Sequence, residues 1–303
     1  SSAARSLIFS RNGGIVASRF AQRENLLTAA ITSNKQCYLS TNTSTTTTPP
    51  PPPPPQQQQR PNAHAPTAVT ADMAISITKI LKQYITNGLT HKRLLEISQQ
   101  GEVDIVFRWQ SMMESFLSTQ AHILAGFGYD ASEAGIGLYG AQMGHLMQSG
   151  DLTSAEVEDI QASTRDAWCT VLQKAFNISE EEFQNSNVVD MDIVKARDMM
   201  HLVSSRIQAP EVLEKMASIK DMEALPEKHT ALQKILVHDV YLGGTPSLLQ
   251  QCGFETSEKG YVLMQCTLSK HQNDPLIAQY VGGAMMRAME AAGIPTPGSA
   301  PPK

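Results

Sequence analysis

The chain has 303 residues, 41% of them hydrophobic, with 24 Lys and Arg against 29 Asp and Glu for a net charge of −5. That length holds one large or two ordinary domains with a real core, and an acidic chain whose nearest basic cluster is His91-Lys92-Arg93, a solvated helix face, is a poor binder of nucleic acid. Four scattered cysteines (Cys37, Cys169, Cys252, Cys266) without a CxxC exclude a disulfide framework and a cysteine zinc site, and make a reducing compartment the default.

Residues 1–39 resemble a mitochondrial presequence. They carry Arg5, Arg11, Arg19, Arg23 and Lys35 against the single acid Glu24. Val16, Phe20, Leu27 and Ile31 fall on one helical side, with Arg19 and Arg23 beside them. Cleavage is expected near Tyr38 or Leu39, where an aromatic precedes small residues. A disordered basic tail and a plastid transit peptide are the rival readings; a secretory signal fits badly, because no apolar core of that type is present. Residues 40–71 follow as a low-complexity linker rich in Thr, Pro and Gln. Seven consecutive prolines, 49–55, favour an extended polyproline II rod.

From Asp72 onward the apolar residues repeat with helical period. Ile193, Ala196, Met200, Val203 and Ile207 keep it, as do Val157, Ile160, Thr164, Trp168, Val171 and Ala175. Strand-like alternation is absent, so the body is expected to be all-α. Predicted helices run in order over 73–87, 91–99, 103–126, 131–149 and 154–176, then over 190–207, 210–219, 229–251, 256–270 and 275–292. Thr153 with Glu156 forms a capping box for the fifth, and Asp274-Pro275 supplies N-cap and N1 for the last. No stretch approaches 18 uninterrupted apolar residues, so no membrane span is expected, with a peripheral position at the inner membrane left open.

Two octets set the organisation: GYDASEAG at 128–135 and GFETSEKG at 253–260. The likeness extends over 112–135 against 237–260, and 72–98 resembles 190–216 in the same order. Two divergent tandem repeats of four to five helices follow, at 72–185 and 186–294, with a seven-residue insertion in the second near 216–229 and a disordered tail at 295–303. In each octet the glycine (Gly128, Gly253) is expected to close a helix in the left-handed conformation, bringing Leu124 to Tyr129 and Leu249 to Phe254. Asp130 with Glu133 is then expected to cap the next helix; in the second copy Thr256 or Ser257 takes over, beside Glu258. A calcium loop is excluded, because its twelfth position, which needs a bidentate Glu, falls on Ala141 or Cys266.

The helix at 131–149 carries Gly135, Gly137, Gly140 and Gly144, each costing about 1 kcal/mol relative to Ala. Gly137, Gly140 and Gly144 are read either as a smooth face for a partner helix or a ligand, or as close intramolecular packing. Among polar candidates Glu114, His122, His238 and Asp239 come first, yet no ExxH, HExxH, GxxxxGK[ST] or GxSxG frames them. No catalytic residue, cofactor or metal is therefore assigned, though an enzyme with a dispersed site stays open. Trp109 and Trp168 read as core or interface anchors. The function expected is a non-catalytic accessory subunit of a mitochondrial complex, of the respiratory chain or ATP synthase, on the matrix side and with other protein subunits as partners. The alternative is a soluble matrix protein holding a small apolar or lipid-like ligand between the repeats.

Overall fold

Nine of the twelve described α-helices begin at a side-chain cap. The computed structural model describes residues 66–101, 103–186, 191–271 and 274–296. The expected presequence, nearly all of the linker and most of the tail lie outside these residues. Thr70 accepts from the Met73 amide and opens α1 (Ala71–Asn87); α2 (Leu89–Ser98) follows across Gly88. Asp104 accepts from Val106 N to start α3 (Ile105–Gly126), and Ser132 starts α4 (Glu133–Leu146). The capping box of Thr153 and Glu156 forms as expected at α5 (Ser154–Ala175). A second box, Ser179 with Glu182, opens the short α6 (Glu180–Gln184), which has no counterpart among the predicted helices.

Asp192 caps α7 (Ile193–Ile207), and Pro210 is the first residue of α8 (Pro210–Ser218). The predicted helix over 229–251 is not one helix. It is α9 (Leu225–Lys234), a π-helical turn (Ile235–Tyr241) and α10 (Leu248–Gln251). Between the last two lie Gly243, Gly244 at φ +90° and a cis Thr245–Pro246 bond. Pro246 has no N–H to continue a helix, and Gly244 turns the chain where other residues are strained. Then come α11 (Glu258–Lys270) and α12 (Pro275–Ala291), the latter capped by Asp274, which accepts from both Leu276 N and Ile277 N. Among the described residues the elements are all helical, twelve α-helices and the π-helical turn.

The apolar stripes read from the sequence face inward. Ala196, Met200, Val203 and Ile207 of α7 are buried, as are Ile160, Val171 and Ala175 of α5. Fully burying a large aliphatic side chain contributes about 1.5–3 kcal/mol. Met112, Met199, Met200, Met216 and Met264 are among the most deeply buried side chains, so much of the methionine content is ordinary helix core.

The packing partnerships among α1–α6 have parallels among α7–α12. Helix α1 lies on α2, α3 and α5, while α7 lies on α8, the π-helical turn and α12. Helix α2 touches α3 and α5, as α8 touches the π-helical turn and α12; α3 carries α4, as α10 carries α11. Helices α5 and α12 also end alike. Asn177 (φ +51°) lets Ile178 N reach Gln173 O at 2.8 Å, and Gly293 (φ +64°) lets Ile294 N reach Met289 O at 2.8 Å. The two groups of helices meet where α11 packs on α5 and α9 on α3.

Candidate protein-interaction surface

The two octets build the same corner. Gly128 (φ +91°) ends α3, with Tyr129 N donating to Leu124 O at 3.2 Å; Gly253 (φ +82°) ends α10, with Phe254 N donating to Leu249 O at 2.8 Å. Tyr129, Phe254, Leu124 and Leu249 are buried, as the left-handed closure with its apolar clasp requires. One expectation is corrected. The N-cap of α4 is Ser132, not Asp130, and its hydroxyl accepts from Gly135 N at 3.4 Å. Glu133 is thus the first residue of the helix rather than N3. Ser257 does the same for α11, accepting from Gly260 N at 3.1 Å. Asp130 instead accepts from the Ser132 hydroxyl at 3.0 Å.

The last glycine of each octet is also explained. A Cβ on Gly135 would stand 2.0 Å from the Asp130 carbonyl oxygen, and one on Gly260 1.9 Å from that of Glu255. The chain doubles back too tightly for any side chain there. The acid after the serine has a further use in the second octet: Glu258 pairs with Arg108 of α3 at 2.8 Å.

That ion pair belongs to the contact between the two helix groups. Arg108 is buried, and its guanidinium lies 5.5 Å from the centre of the Phe176 ring. Trp109 sits among Trp168, Phe176 and Tyr261, with ring centres 5.8–6.1 Å apart. Phe116 packs on Trp168 and Tyr241 on Tyr261. Around this aromatic cluster, Asp104 meets His238 at 3.0 Å, and Gln110 donates to Thr230 at 3.2 Å and Gln233 at 2.9 Å. Lys234 lies over Phe107, and Lys259 of α11 pairs with Glu182 of α6 at 2.6 Å. The Lys259 ammonium and the Ser179 amide together hold the Glu182 carboxyl down to about 2. Burial pushes the Tyr261 phenol well above its ordinary range.

The four polar candidates are not gathered into one site among the described residues. Glu114 is exposed on α3. His122, also exposed, has its ring 5.9 Å from Tyr84 of α1. Asp239 is ion-paired with Lys215 of α8, and His238 lies within hydrogen-bond distance of Asp104. Arg108 was not among the candidates, although a cation inside the apolar run Ile105–Met113 was a readable sign of a buried partner. Among the described residues no group of three or more His, Cys, Asp and Glu is arranged to hold a metal. None of the described helices is long and apolar enough to cross a membrane.

Helix α4 has an uncovered side. It packs chiefly on α3, burying Gly135 and Ile136. Ala134, Leu138, Ala141 and His145 are exposed on the opposite side, with Gly137, Gly140 and Gly144 half-buried along its flank. The residues 125 positions later on α11 are treated differently. Cys266, 125 residues after Ala141, is buried where α11 meets α5, and Val262, 125 residues after Gly137, is buried as well. No protein-family model matches the chain, and no characterised protein or solved structure aligns with it significantly.

Proposed function

We propose that the chain is a non-catalytic accessory subunit of a mitochondrial multiprotein complex, of the respiratory chain or ATP synthase, placed in the matrix or on the matrix side of the inner membrane. The observation that carries the reading is the division of labour among side chains. Arg108, Glu258, Asp104, His238 and Asp239 are engaged in joining helices, whereas α4 keeps a small-residue side uncovered. The basic, acid-poor residues 1–39 supply the address.

In this reading the body is one helical unit laid down twice and diverged, at 72–185 and 186–294. The two octet corners, the parallel packing partnerships and the matching ends of α5 and α12 support it. Divergence then centres on the fourth helix. In the second copy it packs against α5; in the first, Gly137, Gly140 and Gly144 with Ala134, Leu138 and Ala141 offer the same side to a helix of another subunit. Small residues let such a helix approach closely. Trp109, Trp168, Phe116, Phe176, Tyr241 and Tyr261 line the contact between the two helix groups, where the small apolar ligand of the alternative reading would have to sit.

The test is a native gel of mitochondria from cells making the tagged full chain. Co-migration with a large complex is expected, and recovery solely as a free monomer defeats the proposal. Ala141→Arg, at an exposed position, should release the chain from the complex while its helical melt is unchanged. Continued co-migration of that variant would leave the assembly reading standing and remove α4 as the docking side.

A further inference from the structure

The contact between α5 and α11 holds a feature that the subunit reading does not use. Cys169 of α5 and Cys266 of α11 are both buried where the two helices pack, one from each helix group, and each is the neighbour that most shifts the other's thiol. The Cys169 sulfur also lies 3.6 Å from the Ser269 hydroxyl, one helical turn beyond Cys266. Ser269 donates to the Cys266 carbonyl at 2.6 Å, which fixes its side chain beside the pair. The third described cysteine, Cys252, stands apart at the end of α10.

We propose that Cys169 and Cys266 are a paired oxidation site, closing to a reversible disulfide that ties α5 to α11 when the protein meets a hydroperoxide. The Cys169 thiolate attacks one peroxide oxygen, the O–O bond breaks, and hydroxide leaves. Cys169 becomes a sulfenic acid, oxidised by two electrons. The Cys266 sulfur then attacks the Cys169 sulfur. An S–S bond forms, the S–O bond breaks, and the sulfenic oxygen leaves as water, taking up the thiol proton. A dithiol such as reduced thioredoxin reverses the step by exchange.

The order of attack follows from the surroundings. Cys169 is 9% exposed and Cys266 1%, so Cys169 lies nearer the reagent. The interaction with Cys266 is the main cause that lowers the Cys169 thiol below its ordinary range, with Ser269 and Arg165 adding to it against burial and the Asp166 carboxylate. Cys266 is moved up, by that same interaction and by burial, and stays a thiol until it resolves the sulfenic acid. Burial alone pushes Cys252 up to about 11, which makes it an internal control.

The experiment treats the reduced, folded full chain with hydrogen peroxide, blocks remaining thiols with N-ethylmaleimide and maps peptides by mass spectrometry without reduction. The expected product joins the Cys169 and Cys266 peptides, leaves Cys252 alkylated, and melts about 10 °C higher until dithiothreitol is added. Cys169→Ser and Cys266→Ser should each abolish the link. In Cys266→Ser, Cys169 should stop at a sulfenic acid that dimedone traps. Alkylation of both cysteines after peroxide, a link that forms only in denaturant, or sulfinic acid on Cys169 beside a free Cys266 in the unmutated chain would each overturn the proposal.

Discussion

Gly135 and Gly260 show what a single missing Cβ can decide. Both sit at the third residue of a helix, where glycine has no helical merit, and both face a carbonyl oxygen about 2 Å from where a Cβ would stand. Gly135→Ala and Gly260→Ala should therefore each destabilise the protein by about 3 kcal/mol in urea titrations. Gly126→Ala, where nothing lies within 4 Å, should be close to neutral. The octets were legible as helix corners because the left-handed glycine and its apolar clasp are local. The cap slipped from Asp130 to Ser132 because two oxygens compete within three residues. Which one meets the helix amides depends on the path of the doubled-back chain. At the contact between groups, Glu258→Gln leaves the buried Arg108 without its counter-charge and should cost about 2 kcal/mol. Pairing it with Arg108→Met should recover much of that loss; a double variant as weak as the single one would show that Arg108 acts through packing rather than charge.

Among elements, period alone located the helices and misread one. The apolar spacing continues from α9 through the π-helical turn into α10, yet Gly243-Gly244-Thr245-Pro246 interrupts it. That tetrapeptide is a local breaking signal inside a stretch that otherwise resembles the unbroken α3. Helix α6 was missed because five residues carry too little periodicity to register. A glycine inside a helix is a test of whether packing needs it. Gly282 of α12 has nothing within 4 Å of a Cβ, so Gly282→Ala should raise stability by about 1 kcal/mol in thermal or urea melts. An unchanged or lowered midpoint would mean that close approach, not openness, placed glycine there.

For the whole molecule, the joining contacts are mostly between residues over a hundred positions apart, and their acidic and basic members set its pH response. The Glu182 carboxyl is held at about 2 by Lys259 and the Ser179 cap, below its ordinary value of 4.5. Its contribution is therefore complete above pH 4.5 and is lost as pH falls from there toward 2. Because the pair is about 40% exposed, that loss should not exceed about 1 kcal/mol. Glu182→Gln should flatten this part of the stability–pH curve, followed by the fluorescence of Trp109 and Trp168, both in the aromatic cluster. The sequence by itself determined the helical class, most helix positions and both octet corners, since period, caps and left-handed glycines act within a few residues. Only the tertiary structure decided that Arg108 faces Glu258, that Cys169 meets Cys266, and that α4 is left uncovered while α11 is not. Those outcomes depend on how distant helices are brought together, and no local pattern encodes that distance.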